Sequence, residues 1–448
     1  MQTGFGGVRG GEGMTGPFPA HRAAIPADAA TPARRATRAA TGDRATPWSF
    51  KLLLLFLVAL YSNVALWFPA VAPYAPAQTV AIAGLLALAA ERTVARRPFA
   101  LVWPFSHLLL AFLGVAAISS FTALWPRHAV ENTVLVLKFV AIYLLIVNTV
   151  ESWRRLRLAV GATALAGIFP AAGALNNVRT GDLAEGGRTG WIGIFANPND
   201  LAYALAMLIP LVVGLALGSG RFGWRLALWG LAGVYAAAIF FTYSRSGLLA
   251  LGAVVVLCFL RWSRSWLKVP AAVLAGVAMA AAVGTYWARE QGFSDILTDV
   301  TLQQRVQTVR VGLAMFADHP LLGVGPGCSV VGWPLYAPPG TATGTYLHTH
   351  NTFIQVLGET GLLGTIPFVV LVGLGLLAAR RLAGRWRRAG RPDRARLVAG
   401  LEIALWGFLI SSLAAGLLLT WYPYLLLGFV SAARRITVTT SEGARGAG

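Results

Sequence analysis

Apolar runs of near-membrane length recur along this chain from Leu52 to about residue 433, and they decide its class. A helix crosses the bilayer core with about 20 apolar residues, and its backbone groups must be satisfied within the segment. A soluble chain has no need of such runs in series. Only 12% of the 448 residues are charged, about half the share of an ordinary soluble domain. Fifty glycines without a G-x-y period exclude collagen. The fold class is therefore all-α, a polytopic membrane protein with about twelve transmembrane helices. The predicted spans are 50–70, 77–91, 101–123, 132–150, 157–175, 200–218, 225–242, 246–260, 269–287, 352–379, 397–417 and 420–433.

The three regions are a disordered basic tail over 1–47, a transmembrane domain over 48–433 with one large outer loop at 288–351, and a C-terminal tail over 434–448. The first apolar run starts near Leu52 with no small-residue cleavage site after it, so no signal peptide is read. Cys258 reads as a packing residue. With Cys328 in a polar segment, the two give neither a disulfide framework nor a metal spacing, and the redox compartment stays open.

A formal charge of +20 raises the question of nucleic acid. The basic residues are instead scattered over short loops and tails, so no nucleic-acid partner is read. With an even span count both termini share a side. The opposite side holds only Arg127, Arg179, Arg188, Arg245, Arg289, Arg305 and Arg310, and Lys138 falls within a span. All other Lys and Arg lie with the termini, which the positive-inside rule places in the cytoplasm.

The outer basic residues sit mostly in compact polar clusters. One runs from Arg188 through Asn197-Pro198-Asn199-Asp200; a second is Tyr243-Ser244-Arg245-Ser246-Gly247; a third spans Arg305 to Arg310; a fourth is His348-Thr349-His350-Asn351, followed by Gln355, Glu359 and Gly361. Guanidinium forks bind phosphate in a bidentate way and stay charged. A histidine beside them can take a proton near neutral pH. Together they suit group transfer from a phosphate-linked donor at the outer membrane face.

Each cluster also has a plainer reading. A single arginine at a helix end ordinarily snorkels. Asn197-Pro198-Asn199-Asp200 alone is a turn and helix cap, and Asp318-His319-Pro320 a helix stop. His348 and His350 alone form a solvated pair, with no carboxylate or cysteine at ligand spacing to make a zinc site. Glu359 is either a packed polar residue or a partner for His350. Val306, Val309, Leu313 and Phe316 share a helical stripe, predicting an amphipathic helix at the outer membrane surface, flanked by Arg305 and Arg310.

Taken together, these motifs resemble the O-antigen ligase / O-antigen polymerase superfamily of bacterial membrane glycosyltransferases. The resemblance rests on Arg188–Asn199, Tyr243–Gly247, Arg305–Gly327 and His350–Thr365, and covers roughly residues 50–430. In the ligases a histidine and Asn, Ser or Gln are followed after nine residues by glycine, and four residues later by Gly, Thr or Tyr. Here His350-Asn351 leads to Gly361 and Thr365. The sequence departs at Val309, where relatives often carry tryptophan. The resemblance implies a metal-independent, inverting transferase of the GT-C type, with no cofactor and a periplasmic loop over its site in the bacterial inner membrane. It implies an undecaprenyl-diphosphate-linked glycan donor, a lipid A–core or other glycan acceptor, and membrane lipids as partners. Carried over by motif, His350, Arg245 and Arg305 become the catalytic group. Arg188, Arg310, Asn197, Asn199, His348, Asn351 and Tyr243 become the substrate-binding one. A polymerase would share this chemistry and differ in acceptor. A protein O-oligosaccharyltransferase shares the superfamily, and a transporter is the reading from a different class.

Overall fold

The computed structural model describes residues 46–262, 300–338 and 347–445. The tail over 1–45, the expected span 269–287 and part of the outer loop lie outside the described residues. Everything below concerns the unit Pro47–Gly448. Among the described residues there is no β-strand. In chain order the longer helices are α1 (Trp48–Ser62), α2 (Pro76–Val94), α3 (Phe105–Ser119), α4 (Pro126–Thr149), α5 (Trp153–Ala166), α6 (Ile168–Thr180), α7 (Pro198–Gly218), α8 (Phe222–Phe241), α9 (Arg245–Trp262), α10 (Val300–Asp318), α11 (Thr352–Arg388), α12 (Pro392–Ser412) and α13 (Tyr422–Arg445). A helix overlaps each of the eleven predicted spans that fall on described residues. Among the described residues, eight helical segments, α5 and α6 counted together, are long and apolar enough to cross a membrane, and α1 and α3 are shorter apolar helices. This is an all-α, multi-pass membrane protein.

The centre is α7, which buries nearly every residue from Pro198 to Ala216. A helix apolar on all sides belongs inside a bundle, and α5, α8, α9 and α12 surround it. Small residues let α7 and α12 approach: a Cβ on Gly214 would stand 2.9 Å from the Arg396 carbonyl oxygen, and one on Gly400 would stand 2.7 Å from that of Pro210. Outward faces carry Leu86, Phe222, Trp229, Leu249, Ile366 and Val369 exposed, the belt expected of a chain solvated by lipid.

Two departures from the predicted spans, and one from the predicted surface helix, are set by tertiary contacts. The fifth span is two helices meeting at Gly167. Pro170 has no N–H to offer the Ala166 carbonyl, and just before the junction Tyr235 Oη donates to the Ala164 carbonyl at 2.6 Å. The eleventh span ends at Ser412, and residues 413–421 leave the helical ladder. Their backbone is held from α11: Thr352 Oγ1 donates to the Ala415 carbonyl at 2.7 Å and accepts from Leu417 N at 2.9 Å. Irregular backbone at membrane depth is tolerated where protein satisfies it and it lines a cavity.

The third departure is α10. It packs on α11 through Gly312, whose Cβ would meet Ile354 at 2.4 Å, and buries Val311 and Met315 against Val324, Cys328 and Trp333. The predicted stripe is turned away from this contact, with Val306 45% and Leu313 44% exposed. Two apolar faces therefore coexist on one helix, the inward one built from smaller residues.

The histidine-to-glycine spacing acquires a mechanical meaning in α11. The helix breaks at Gly361, with φ 58° and ψ −162°, a combination essentially confined to glycine. The groups released there pair with the loop after α10. Leu362 N and Leu363 N donate to the Pro320 and Leu321 carbonyls, and Val324 N and Gly325 N donate to those of Gly358 and Glu359. Thr365 Oγ1 donates to the Gly361 carbonyl at 2.6 Å. Gly361→Ala combines backbone strain of about 1–3 kcal/mol with a Cβ only 2.4 Å from the Leu321 carbonyl. A clear fall in thermal midpoint in detergent is expected; an unchanged midpoint would contradict this account of the join.

Candidate functional site

A cavity of about 700 Å³ opens beside α7. One part is apolar, walled by Phe56, Leu60 and Leu85, with Leu135 and Ile142 of α4. The other is polar, walled by Asn197, Asn199, Asp200, Tyr203, His348 and His350, with residues 414–416 and 419–422 between them. Lys138 stands among the apolar residues and donates to Gln78 Oε1 at 3.3 Å.

Local rules place the polar groups. Asn197 caps α7, its Oδ1 accepting from Asn199 N at 2.8 Å. Asn199 Oδ1 in turn accepts from Arg188 Nη2 at 2.8 Å and from Ser244 Oγ at 2.6 Å. Arg188 also donates through Nε to the Thr242 carbonyl. Ser244 begins α9 by accepting from Gly247 N at 3.0 Å, and the preceding Tyr243 turns the chain with φ 49°. Gly247 is needed because its Cβ would lie 2.3 Å from Ala202 of α7. The turn at Tyr243–Gly247 is thereby pressed onto the first turns of α7.

Arg305 reaches the same spot from α10, where Nη2 donates to Ser246 Oγ at 3.4 Å. Ser246 also hydrogen-bonds the Tyr203 hydroxyl. Arg188 and Arg305 thus sit one or two hydrogen bonds behind the cavity wall, joined to it through Asn199 and through Ser246 to Tyr203. Arg310 lies five positions further on α10, which rotates it well away from Arg305, and it is exposed. Arg245 is half-buried at the head of α9 and is not a lining residue.

The two histidines flank the polar part. Burial lowers His350 below the ordinary 6.5, with the Arg305 charge and then His348 adding to it. His348 is lowered by burial and by His128. A neutral imidazole beside an arginine is a competent proton acceptor. Asn351 caps α11, its Oδ1 accepting from Phe353 N and Ile354 N at 3.0 and 3.1 Å. Among the described residues, no three His, Cys, Asp or Glu side chains gather as metal ligands.

Glu359 does not serve His350. It is fully buried and accepts from Gly327 N at 2.8 Å, Ser329 Oγ at 2.6 Å and Gln355 Nε2 at 3.3 Å. Gln355 lines the cavity and accepts from Leu418 N at 3.4 Å. Asp200, Tyr203, Ser246 and Gln355 were not predicted as site residues. Asp200 and Ser246 stood inside recognised clusters, but Tyr203 reads as one more residue of an apolar span.

Residues 230–369 match the family model described as O-antigen ligase. That stretch is similar to the O-antigen ligase family over about a third of the chain. It runs from within α8 to Val369 in α11, past the break at Gly361, and includes Arg245, Arg305 and His350, while Arg188, Asn197 and Asn199 precede it. The match supports an O-antigen ligase or polymerase type of function, and with it a glycosyltransferase-like enzyme that handles lipid-linked glycans. No curated protein matches the chain.

Within the matched stretch Glu359 acts as a clamp, and its replacement by Gln isolates that role. The amide swaps an acceptor for a donor facing Gly327 N and Ser329, leaving a buried group unsatisfied at about 1–3 kcal/mol. Glu359→Gln is expected to lower the thermal midpoint and to speed amide exchange at Gly327 and Ser329. Wild-type exchange there would contradict it.

Proposed function

We propose that the protein transfers a glycan from an undecaprenyl-diphosphate-linked donor to a sugar hydroxyl of lipid A–core, at the periplasmic face of the inner membrane and with both termini cytoplasmic. The observation that carries this reading is the continuity of one cavity from an apolar wall to His350 and Asn199. A polyprenyl chain needs the first part and a diphosphate-linked sugar the second. Arginines held immediately behind the polar part supply positive charge without filling the space.

The acceptor oxygen attacks the anomeric carbon. The bond from that carbon to the diphosphate oxygen breaks, its electron pair leaves with the diphosphate, and the hydroxyl proton passes to His350. Arg245 and Arg305, with Arg188, offset the charge growing on the leaving group. Asn197, Asn199, His348, Asn351 and Tyr243 contribute to binding the two glycans. Arg305 has a second effect. It adds to burial, the larger cause, in holding His350 neutral before the donor arrives, and the donor's own negative charge then relieves the Arg305 part of that bias, making the base stronger when it is needed.

Glycan transfer by the purified full-length protein tests these roles. His350→Ala is expected to lose at least about 100-fold in rate, the usual share of a general base; full activity would remove His350 from the mechanism. The pH profile carries an independent sign. A depressed imidazole stays neutral at pH 7 and gains its proton only at lower pH, so the acid limb of kcat/KM is expected below the ordinary value of 6.5. An acid limb above it would contradict the assignment. A deletion strain separates the acceptors: lipid-linked polymer with bare core marks a ligase, a single repeat unit on core a polymerase.

A further inference from the structure

A second groove lies away from the site, between α3, α11 and α13, with a volume of about 270 Å³. Phe105, Leu374, Leu377 and Val438 make its wall apolar, and Arg381, Arg385 and Arg434 stand at one end. Arg381 and Arg385 are four residues apart and project from one face of α11. Arg434 of α13 is aimed from the other side: its guanidinium donates to the Trp103 carbonyl and lies 5.5 Å over the Phe105 ring. Leu374 and Arg385 are about 17 Å apart along the helix, so the groove has the length of an acyl chain and a cationic end.

What distinguishes this groove is three arginines converging on one apolar wall. Some arginines of the bundle have a carboxylate partner: Arg92, Arg155 and Arg435 share Glu151, Arg261 pairs with Glu402 and Arg391 with Asp393. Among the described residues, no carboxylate pairs with Arg381, Arg385 or Arg434. Three guanidinium groups that meet no carboxylate among the described residues suit an anion, and the apolar wall leading to them suits hydrocarbon.

We propose that this groove binds an anionic phospholipid, with its phosphate between Arg381, Arg385 and Arg434 and an acyl chain against Phe105, Leu374 and Leu377. Basic pockets between membrane helices recognise lipid phosphates through the same guanidinium geometry. The site is separate from the glycan-transfer cavity and does not depend on that reading.

Native mass spectrometry of the delipidated full-length protein tests it, with phosphatidylglycerol as probe, phosphatidylcholine as the neutral control and glycerol phosphate as competitor. Phosphatidylglycerol is expected to bind roughly tenfold or more tighter than phosphatidylcholine. The R381Q/R385Q double variant is expected to lose that preference, and R381K/R385K to keep most of it. Equal binding of the two lipids by the wild type overturns the proposal even if the variants fail to fold. So does an unchanged preference in the folded glutamine variant. Displacement of the lipid by glycerol phosphate alone would reduce the groove to a phosphate site and overturn the lipid assignment.

Discussion

The loop after α10 is fastened into a long apolar helix at the break in α11, and the geometry of the site follows from that join. Breaking a helix inside a bilayer exposes N–H and C=O groups that cost several kcal/mol each if left alone. Here the segment Pro320–Gly325 supplies partners on both sides of Gly361. The Glu359 carboxylate then ties down Gly327 and Ser329, and Gln355 passes the contact to the irregular segment before α13. The loop after α10, the start of α11 and one wall of the cavity are therefore mechanically one piece. Arg305 rides on the helix that leads into this piece, and His350 on the segment that enters α11.

The other half of the site hangs on α7. That helix is buried on all sides, so its first turn is fixed by the bundle rather than by the loops around it. Asn197 and Asn199 inherit this rigidity. Asn199 collects Arg188 and Ser244 on a single oxygen, and the turn that begins α9 is pressed onto α7 at Gly247. Polar groups from separate stretches of chain are thus referenced to one central helix.

Much of the fold was legible because hydrophobic run length is a direct consequence of bilayer thickness. The limits of α7, α8 and α9 fall within a few residues of the predicted ones. Two of the misplaced boundaries, at Gly167 and after Ser412, occur where tertiary hydrogen bonds hold the backbone, and no local pattern encodes a partner so distant in sequence. Charged site residues were legible because an arginine on the sparsely basic side of a membrane protein stands out. Tyr203 did not stand out, since its hydroxyl matters only once Ser246 is brought beside it. Glu359 was legible as an anomaly but not as a clamp, because its partners come from a loop some thirty residues away. The stripe on α10 shows the converse: it is real, yet the face that packs is another one, chosen by the close approach permitted at Gly312.

The four-residue step from Gly361 to Thr365 has a consequence for how variants of this protein should be interpreted. Thr365 Oγ1 donates to the Gly361 carbonyl at the head of the second helical stretch, and Gly361 allows the chain to break there at all. Neither is among the residues lining the cavity. Half of the pattern that begins at His350 is therefore carpentry. A screen scored only on product would group histidine, glycine and threonine together, and only a parallel record of how much folded protein reaches the membrane would separate the histidine, the proposed proton acceptor, from the two that hold a beam in place.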